Sequence, residues 1–214
     1  MRDLIRVGLV LGLAFASTFL VVQGFGLLPE EGVVAWLEAL RAVHPGWLMA
    51  GVIGLLLLDL LVAVPTMTTI LLAGWLLGPV LGGLIGAVGL MLMGGLGYGL
   101  GRLLGRPVLR RVLRDEARLE GIEAAFAKND LLVLAVCQAL PILPELSAVL
   151  AGVARMRPGR FALGYAAGSV PFAFVLASGG AASSPDDLRP AILTAIAVTG
   201  GLLLIWRWVL RRGA

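Results

Sequence analysis

The stretch 137-CQALPILPELSAVLAGVARMRPGR-160 opens as an apolar run of the kind that enters a bilayer, and then breaks. Pro141 and Pro144 stand three residues apart, a carboxylate, Glu145, follows the second directly, and beyond Gly152 come Arg155, Arg157 and Arg160. Each proline removes an amide donor and frees a carbonyl. Irregular backbone at membrane depth is tolerated only where protein or a water-filled cavity surrounds it. The LPILPE tip is therefore expected to line a polar cavity rather than face lipid.

The whole composition agrees with a membrane setting. Of 214 residues, 59% are hydrophobic and 14% charged, against about 25% charged in soluble domains, and the mean hydropathy is +0.99. Apolar runs recur that approach or exceed the roughly 20 residues a crossing needs. The class expected is all-α integral membrane. The surplus of arginine does not indicate nucleic acid, because the arginines flank the apolar runs, where orientation explains them. One cysteine, Cys137, excludes an internal disulfide. The N-terminal MRDLIRVGLVLGLAFAST resembles a signal peptide, but its apolar run continues to Leu28, long enough to stay as a transmembrane helix.

Apolar zones fall at Val7–Leu28, Trp47–Gly78, Pro79–Gly101, Leu131–Val153, Phe161–Ala182 and Ala191–Trp206. Two connecting segments, PEEGVVAWLEALRAVHPG and SSPDDLRP, are acidic; those around 102–130 and 154–160, and the tail, are arginine-rich. The positive-inside rule places the basic segments and both termini in the cytoplasm. Leu131–Val153 then enters and leaves on one side, as a re-entrant hairpin. Trp47–Gly78 is either a hairpin from outside or two short spans; its two limbs around Pro65 are each shorter than a span, which favours the hairpin. About four helices then span, and 15 of the 17 Lys and Arg residues lie inside, all but Arg41 and Arg189. Three regions result: residues 1–46, an N-terminal transmembrane helix and outer loop; 47–182, the core (re-entrant 47–78, span 79–101, interfacial amphipathic helix 102–130, re-entrant 131–153, span 161–182); and 183–214, a C-terminal transmembrane helix and basic tail.

The two hairpin zones match each other. Asp59 stands six residues before Pro65, and Ala73-Gly74 follows; Gln138 stands six before Pro144, and Ala151-Gly152 follows. One enters from outside and the other from inside, an inverted repeat of the type that places a substrate site near the midplane between broken helices. LLGPVLGGLIGAVG, GGLGYGLGRLLGR and QALPILPELSAVLAGVARMRPGRFALGYAAGSVP together resemble the DedA superfamily of VTT-domain, or SNARE-associated, membrane proteins, over roughly Trp47 to Gly180. The resemblance implies opposed re-entrant hairpins in a bacterial cytoplasmic (inner) membrane protein. It also implies a transporter that flips or scrambles a phospholipid or polyprenyl-phosphate-like lipid, with proton coupling in some members. The alternative is a non-transporting membrane-organising or assembly factor with the same fold. Neither is an enzyme, and no cofactor is implied. Where the family usually carries arginine before the first tip proline this chain has Gln138. A permanent charge with a phosphate fork is replaced by a neutral amide.

Asp59 and Glu145 are the charged side chains this topology places in hydrocarbon. A central Asp is penalised by about 2.5–3.5 kcal/mol on translocon scales, so such groups mark function by default; desolvation favours the neutral acid, which suits a proton pathway. Asp59, Pro65, Thr66, Gln138, Pro141, Pro144 and Glu145 form the expected substrate or proton pathway. Thr66, Thr68, Thr69 and Ser147 have a plainer alternative, since hydroxyls in helices bond their own backbone. Arg102, Arg106, Arg155 and Arg160 are the expected headgroup contacts. Gly78, Gly82 and Gly86, like Gly97 and Gly101, sit at the four-residue spacing of close helix contacts, expected within the monomer. A homo-oligomer is compatible with the sequence, the expected partners are lipids and protons, and His44 reads as a polar loop residue. No metal-ligating cluster is evident.

Overall fold

The computed structural model describes residues 44–60, 65–105, 130–138, 143–184 and 187–212, together with positions 35 and 39. Among them every regular element is helical: α1 Pro45–Leu58, α2 Thr66–Leu77, α3 Pro79–Leu100, a π-turn Gly101–Gly105, α4 Asp130–Cys137, α5 Leu143–Val153, α6 Pro158–Ala181 and α7 Arg189–Arg212. Local chemistry sets several of the ends. His44 caps α1, its Nδ1 accepting from the Gly46 amide at 3.0 Å, and prolines stand in the first turn of α1, α3 and α6, where their missing amide would have no helical partner anyway. Gly78, at φ 82°, ends α2 and turns the chain into α3.

The zones expected from the sequence coincide with these helices. Trp47–Gly78 resolves into α1 and α2, Pro79–Gly101 into α3, Leu131–Val153 into α4 and α5, and Phe161–Ala182 into α6, which starts three residues earlier at Pro158. Ala191–Trp206 falls within α7. The described part of the expected interfacial helix, residues 102–105, continues α3 as the π-turn instead of starting a new element. The rest of that segment, the Val7–Leu28 zone, Arg106 and Pro141 lie outside the described residues.

Close approaches along α3 fix the directions of its neighbours. Gly82 packs on Ala73 and Gly74, Gly86 on Ile70 and Ala173, and Gly94 on Tyr165, so α2 and α6 run antiparallel to α3. Leu56 lies at Gly89 and Leu60 at Gly97, so α1 runs parallel to it. Ala148 lies at the same Gly97 and Val153 at Gly105, so α5 is also parallel. Leu131 and Leu134 meet Gly164, and Ala135 and Gln138 meet Gly168, which makes α4 parallel to α6. Each helix–break–helix unit therefore reverses direction at its break. The first unit approaches from the Pro79 end of α3 and the second from the Gly105 end. Leu60, just past the end of α1, and Ala148, in the second turn of α5, both meet Gly97, so limbs of the two units reach the same level.

Two apolar clusters hold the units. One joins Leu48, Val52, Leu56 and Ile70 to Leu90, Met93 and Leu176. The other joins Leu134, Leu146 and Leu150 to Tyr98, Phe161 and Tyr165. Among the described residues two helical stretches are long and apolar enough to cross a membrane: Pro79–Gly105, with 27 residues, and Pro158–Ala181, with 24. At 1.5 Å per residue the first is about 40 Å long, enough for a hydrocarbon core of about 30 Å. Its outward side exposes Val80, Leu84, Val88, Leu92 and Leu96 in one stripe. Water would not tolerate so long an apolar face; lipid does.

Candidate functional site

The limbs on either side of the two breaks, with α6, bring together side chains from five helices. Asp59 caps the end of α1, its amide donating to the Leu55 carbonyl at 3.1 Å, and its carboxylate accepts a hydrogen bond from the Thr66 hydroxyl in the first turn of α2. Gln138 follows the last turn of α4, Glu145 lies in the first turn of α5, and Tyr165 projects from α6. Asp59, Gln138 and Glu145 are each at most 7% exposed, and Tyr165 is wholly buried. Asp59 and Glu145 lie within electrostatic reach of each other. Tyr165 senses both carboxylates as well as Cys137.

What distinguishes this junction is unmet hydrogen-bonding capacity. Glu145 Oε2, Gln138 Oε1, Gln138 Nε2 and the Tyr165 hydroxyl are all buried without a hydrogen-bond partner among the described residues. The Tyr165 hydroxyl faces Gln138, yet neither side chain completes a bond of good geometry. Native interiors leave few such groups, and a cluster of them signals water, an ion or a working role. Leaving one buried polar group unsatisfied costs about 1–3 kcal/mol. Four atoms in one place are not an accident of packing. Among the described residues no three His, Cys, Asp or Glu side chains come together.

The remaining polar positions separate into structural and interfacial groups. Thr69 donates to the Pro65 carbonyl at 3.1 Å and Ser147 to the Pro144 carbonyl at 2.9 Å, the backbone bonding expected for hydroxyls in helices. Thr66 departs from that habit by serving Asp59. Pro65 and Pro144 are half-buried at the starts of the returning limbs. Arg102 folds back on the protein. Its Nη1 donates to the Tyr98 hydroxyl at 2.6 Å and to the Met156 carbonyl at 3.2 Å, while Tyr98 donates to that same carbonyl at 2.5 Å and stacks on Phe161 at 4.5 Å. Arg155 and Arg160 are exposed beside Arg157 at the same end. Arg155 adopts φ 51°. The amides of Arg155 and Met156 donate to Gly152 and Ala151 and close α5, the bond pattern of a Schellman cap.

The VTT domain matches residues 64–182, more than half of the chain, and spans α2 to the end of α6 with every junction residue except Asp59. The chain belongs to the VTT-domain family. This VTT-domain chain is accordingly a membrane protein, in keeping with its apolar exterior. No curated protein and no solved structure matches it.

Sequence reasoning missed Tyr165. A lone aromatic in an apolar helix reads as packing, and only its neighbours reveal otherwise: Gly164 and Gly168 bring α4 close enough for Gln138 to face it. One clue was present, since the chain has only two tyrosines and a buried tyrosine normally seeks a partner for its hydroxyl.

Proposed function

We propose that this VTT-domain chain is a bacterial inner-membrane lipid translocator. Four helices span the bilayer, two helix–break–helix units enter from opposite faces as re-entrant hairpins, and a lipid headgroup passes between leaflets by way of their tips. The observation that carries this reading is the set of four buried polar atoms on Gln138, Glu145 and Tyr165 that have no hydrogen-bond partner among the described residues. A static apolar core has no use for them; a transient polar guest does. Glu145 is the main proton-titrating group and Asp59 its counterpart on the opposite unit, since protonation removes charge as a headgroup comes and goes. The breaks suit the task because irregular backbone at membrane depth requires a polar or protein-lined surround.

The test uses purified full-length chain in liposomes carrying a panel of labelled lipids, with and without a pH gradient. Protein-dependent headgroup movement is the expected result, and its absence across the panel overturns the reading. Orientation is read with single cysteines placed near Asn129 and Arg157 in a Cys137→Ser background. Both are expected to be protected in intact cells, and labelling of one alone excludes a second unit that returns to its side of entry.

A second reading is favoured by one observation. Gln138 stands where the family usually carries arginine, and a chain that has lost that charge can serve as a membrane-organising or assembly factor instead. Such a protein moves no lipid in liposomes and co-purifies with a protein partner.

A further inference from the structure

Every acceptor left open at the junction is an oxygen, and they come from three separate helices: Glu145 Oε2 from α5, Gln138 Oε1 beside the end of α4 and the Tyr165 hydroxyl from α6. All three side chains are more than nine-tenths buried. Among the described residues the charged groups felt at this place are carboxylates: Glu145 senses Asp59, and Tyr165 senses Glu145 and Asp59. The arginines described nearest in sequence are engaged or exposed at the far end of α3, where Arg102 is held by Tyr98 and Met156. We infer that the junction is a binding site for a small monovalent cationic group, coordinated by Glu145, Gln138 and Tyr165 with Asp59 as a second negative charge.

Three physical points support this occupant over an anion. A buried carboxylate pair repels phosphate, and a neutral amide offers no compensating charge. Carboxylate, amide carbonyl and phenol oxygens are the donors that hard cations take, whereas softer metals select imidazole and thiolate. Broken helices at membrane depth supply such cation sites between repeats. The donors left over, Gln138 Nε2 and the Tyr165 O–H, suit a cation that arrives with acceptors of its own, a water or the oxygens of a headgroup. Two sources share this chemistry, a free alkali cation such as Na⁺ and the ammonium of a lipid headgroup. The inference rests on the translocator reading for its purpose, but binding is measurable without transport.

The experiment is thermal unfolding of the detergent-purified full chain, followed by emission of its tryptophans at constant ionic strength. Sodium chloride, methylammonium chloride and sodium-free phosphate are each titrated against bulky N-methylglucamine chloride as the balancing salt. A saturable rise of roughly 3 °C with sodium or methylammonium is expected, with none from phosphate. Sodium alone identifies a free ion; methylammonium alone identifies a headgroup amine. Tyr165→Phe, which keeps the ring, should reduce the apparent affinity severalfold, and Glu145→Gln should abolish the rise. A rise with phosphate, or no rise with either cation, overturns the inference. Cation binding by a chain that moves no lipid would leave this site standing and sink the translocator; lipid movement with no cation effect would do the reverse.

Discussion

The two helix–break–helix units carry equivalent positions and use them differently. In the first, Asp59 and Thr66 stand seven residues apart across Pro65, and the Thr66 hydroxyl donates to the Asp59 carboxylate. In the second, Gln138 and Glu145 have the same spacing across Pro144, and neither Glu145 Oε2 nor the Gln138 amide finds a partner among the described residues. Acid then hydroxyl closes on itself; amide then acid stays open. Their packing, by contrast, is alike. Gly74 on the first returning limb lies against the Ala177 backbone of α6, and Gly152 on the second lies against the Tyr98 carbonyl of α3. The units share a scaffold and divide the work. The first supplies a carboxyl group already hydrogen-bonded within its own unit, and the second supplies the changeable contacts.

That division is broken most directly by Glu145→Gln. The amide keeps the shape and removes titration, so the pH dependence of lipid movement in liposomes should be abolished while the unfolding temperature stays within a few degrees of wild type. An unchanged pH profile would make Glu145 structural and the two units functionally equal. Asp59→Asn should weaken the same activity without flattening the profile.

Packing should respond equally in both units. A Cβ at position 74 would collide with the backbone of Ala177, and one at position 152 with the backbone of Tyr98. Backbone cannot yield as a side-chain end can, so Gly74→Ala and Gly152→Ala should each destabilise by about 2–3 kcal/mol. Thermal melts of the two variants should agree. A large effect at only one would mean that the likeness of the units stops at the sequence. Thr66→Val should destabilise less, by about 1–2 kcal/mol, because it removes one hydrogen bond to a buried carboxylate. The pH profile of transport should survive it.

Much of this scaffold was legible in the chain. Prolines and Gly78 punctuate the apolar zones, and their effects are local: a missing amide or a positive φ ends a helix whatever surrounds it. The repeat was legible for the same reason, since Asp59, Pro65, Gln138 and Pro144 keep their spacing along the chain. Partnership was not. Whether Thr66 bonds its own backbone, as Thr69 does, or Asp59 depends on how the chain turns between α1 and α2. Tyr165 became visible only when α6 brought it to α4. Arg102 read as the start of an interfacial helix because it opens the arginine-rich segment 102–130, but the carbonyl that holds it belongs to Met156, 54 positions away.

The smallest effect tests how the two returning limbs end. The first ends on Gly78 at φ 82°, and the second passes through Arg155 at φ 51°. Arg155 has a positive φ that a residue with a Cβ enters at roughly 1–2 kcal/mol, whereas Gly78, at ψ 170°, lies in a region essentially reserved for glycine. Gly78→Ala should therefore destabilise. Arg155→Gly should stabilise by about 1 kcal/mol, raising the unfolding midpoint by roughly 2–4 °C. The gain is conformational, because the Arg155 side chain is exposed and its amide bond to Gly152 does not depend on it. Arg155→Ala separates the causes. Alanine keeps the backbone strain and loses the charge, so its melt should match wild type. If alanine stabilises as much as glycine, repulsion among Arg155, Arg157 and Arg160 is the cause instead. The arginine would then be retained for its charge at the headgroup layer, and its removal should slow lipid movement most in vesicles rich in anionic lipid, where each basic residue near the surface contributes about 1 kcal/mol of attraction.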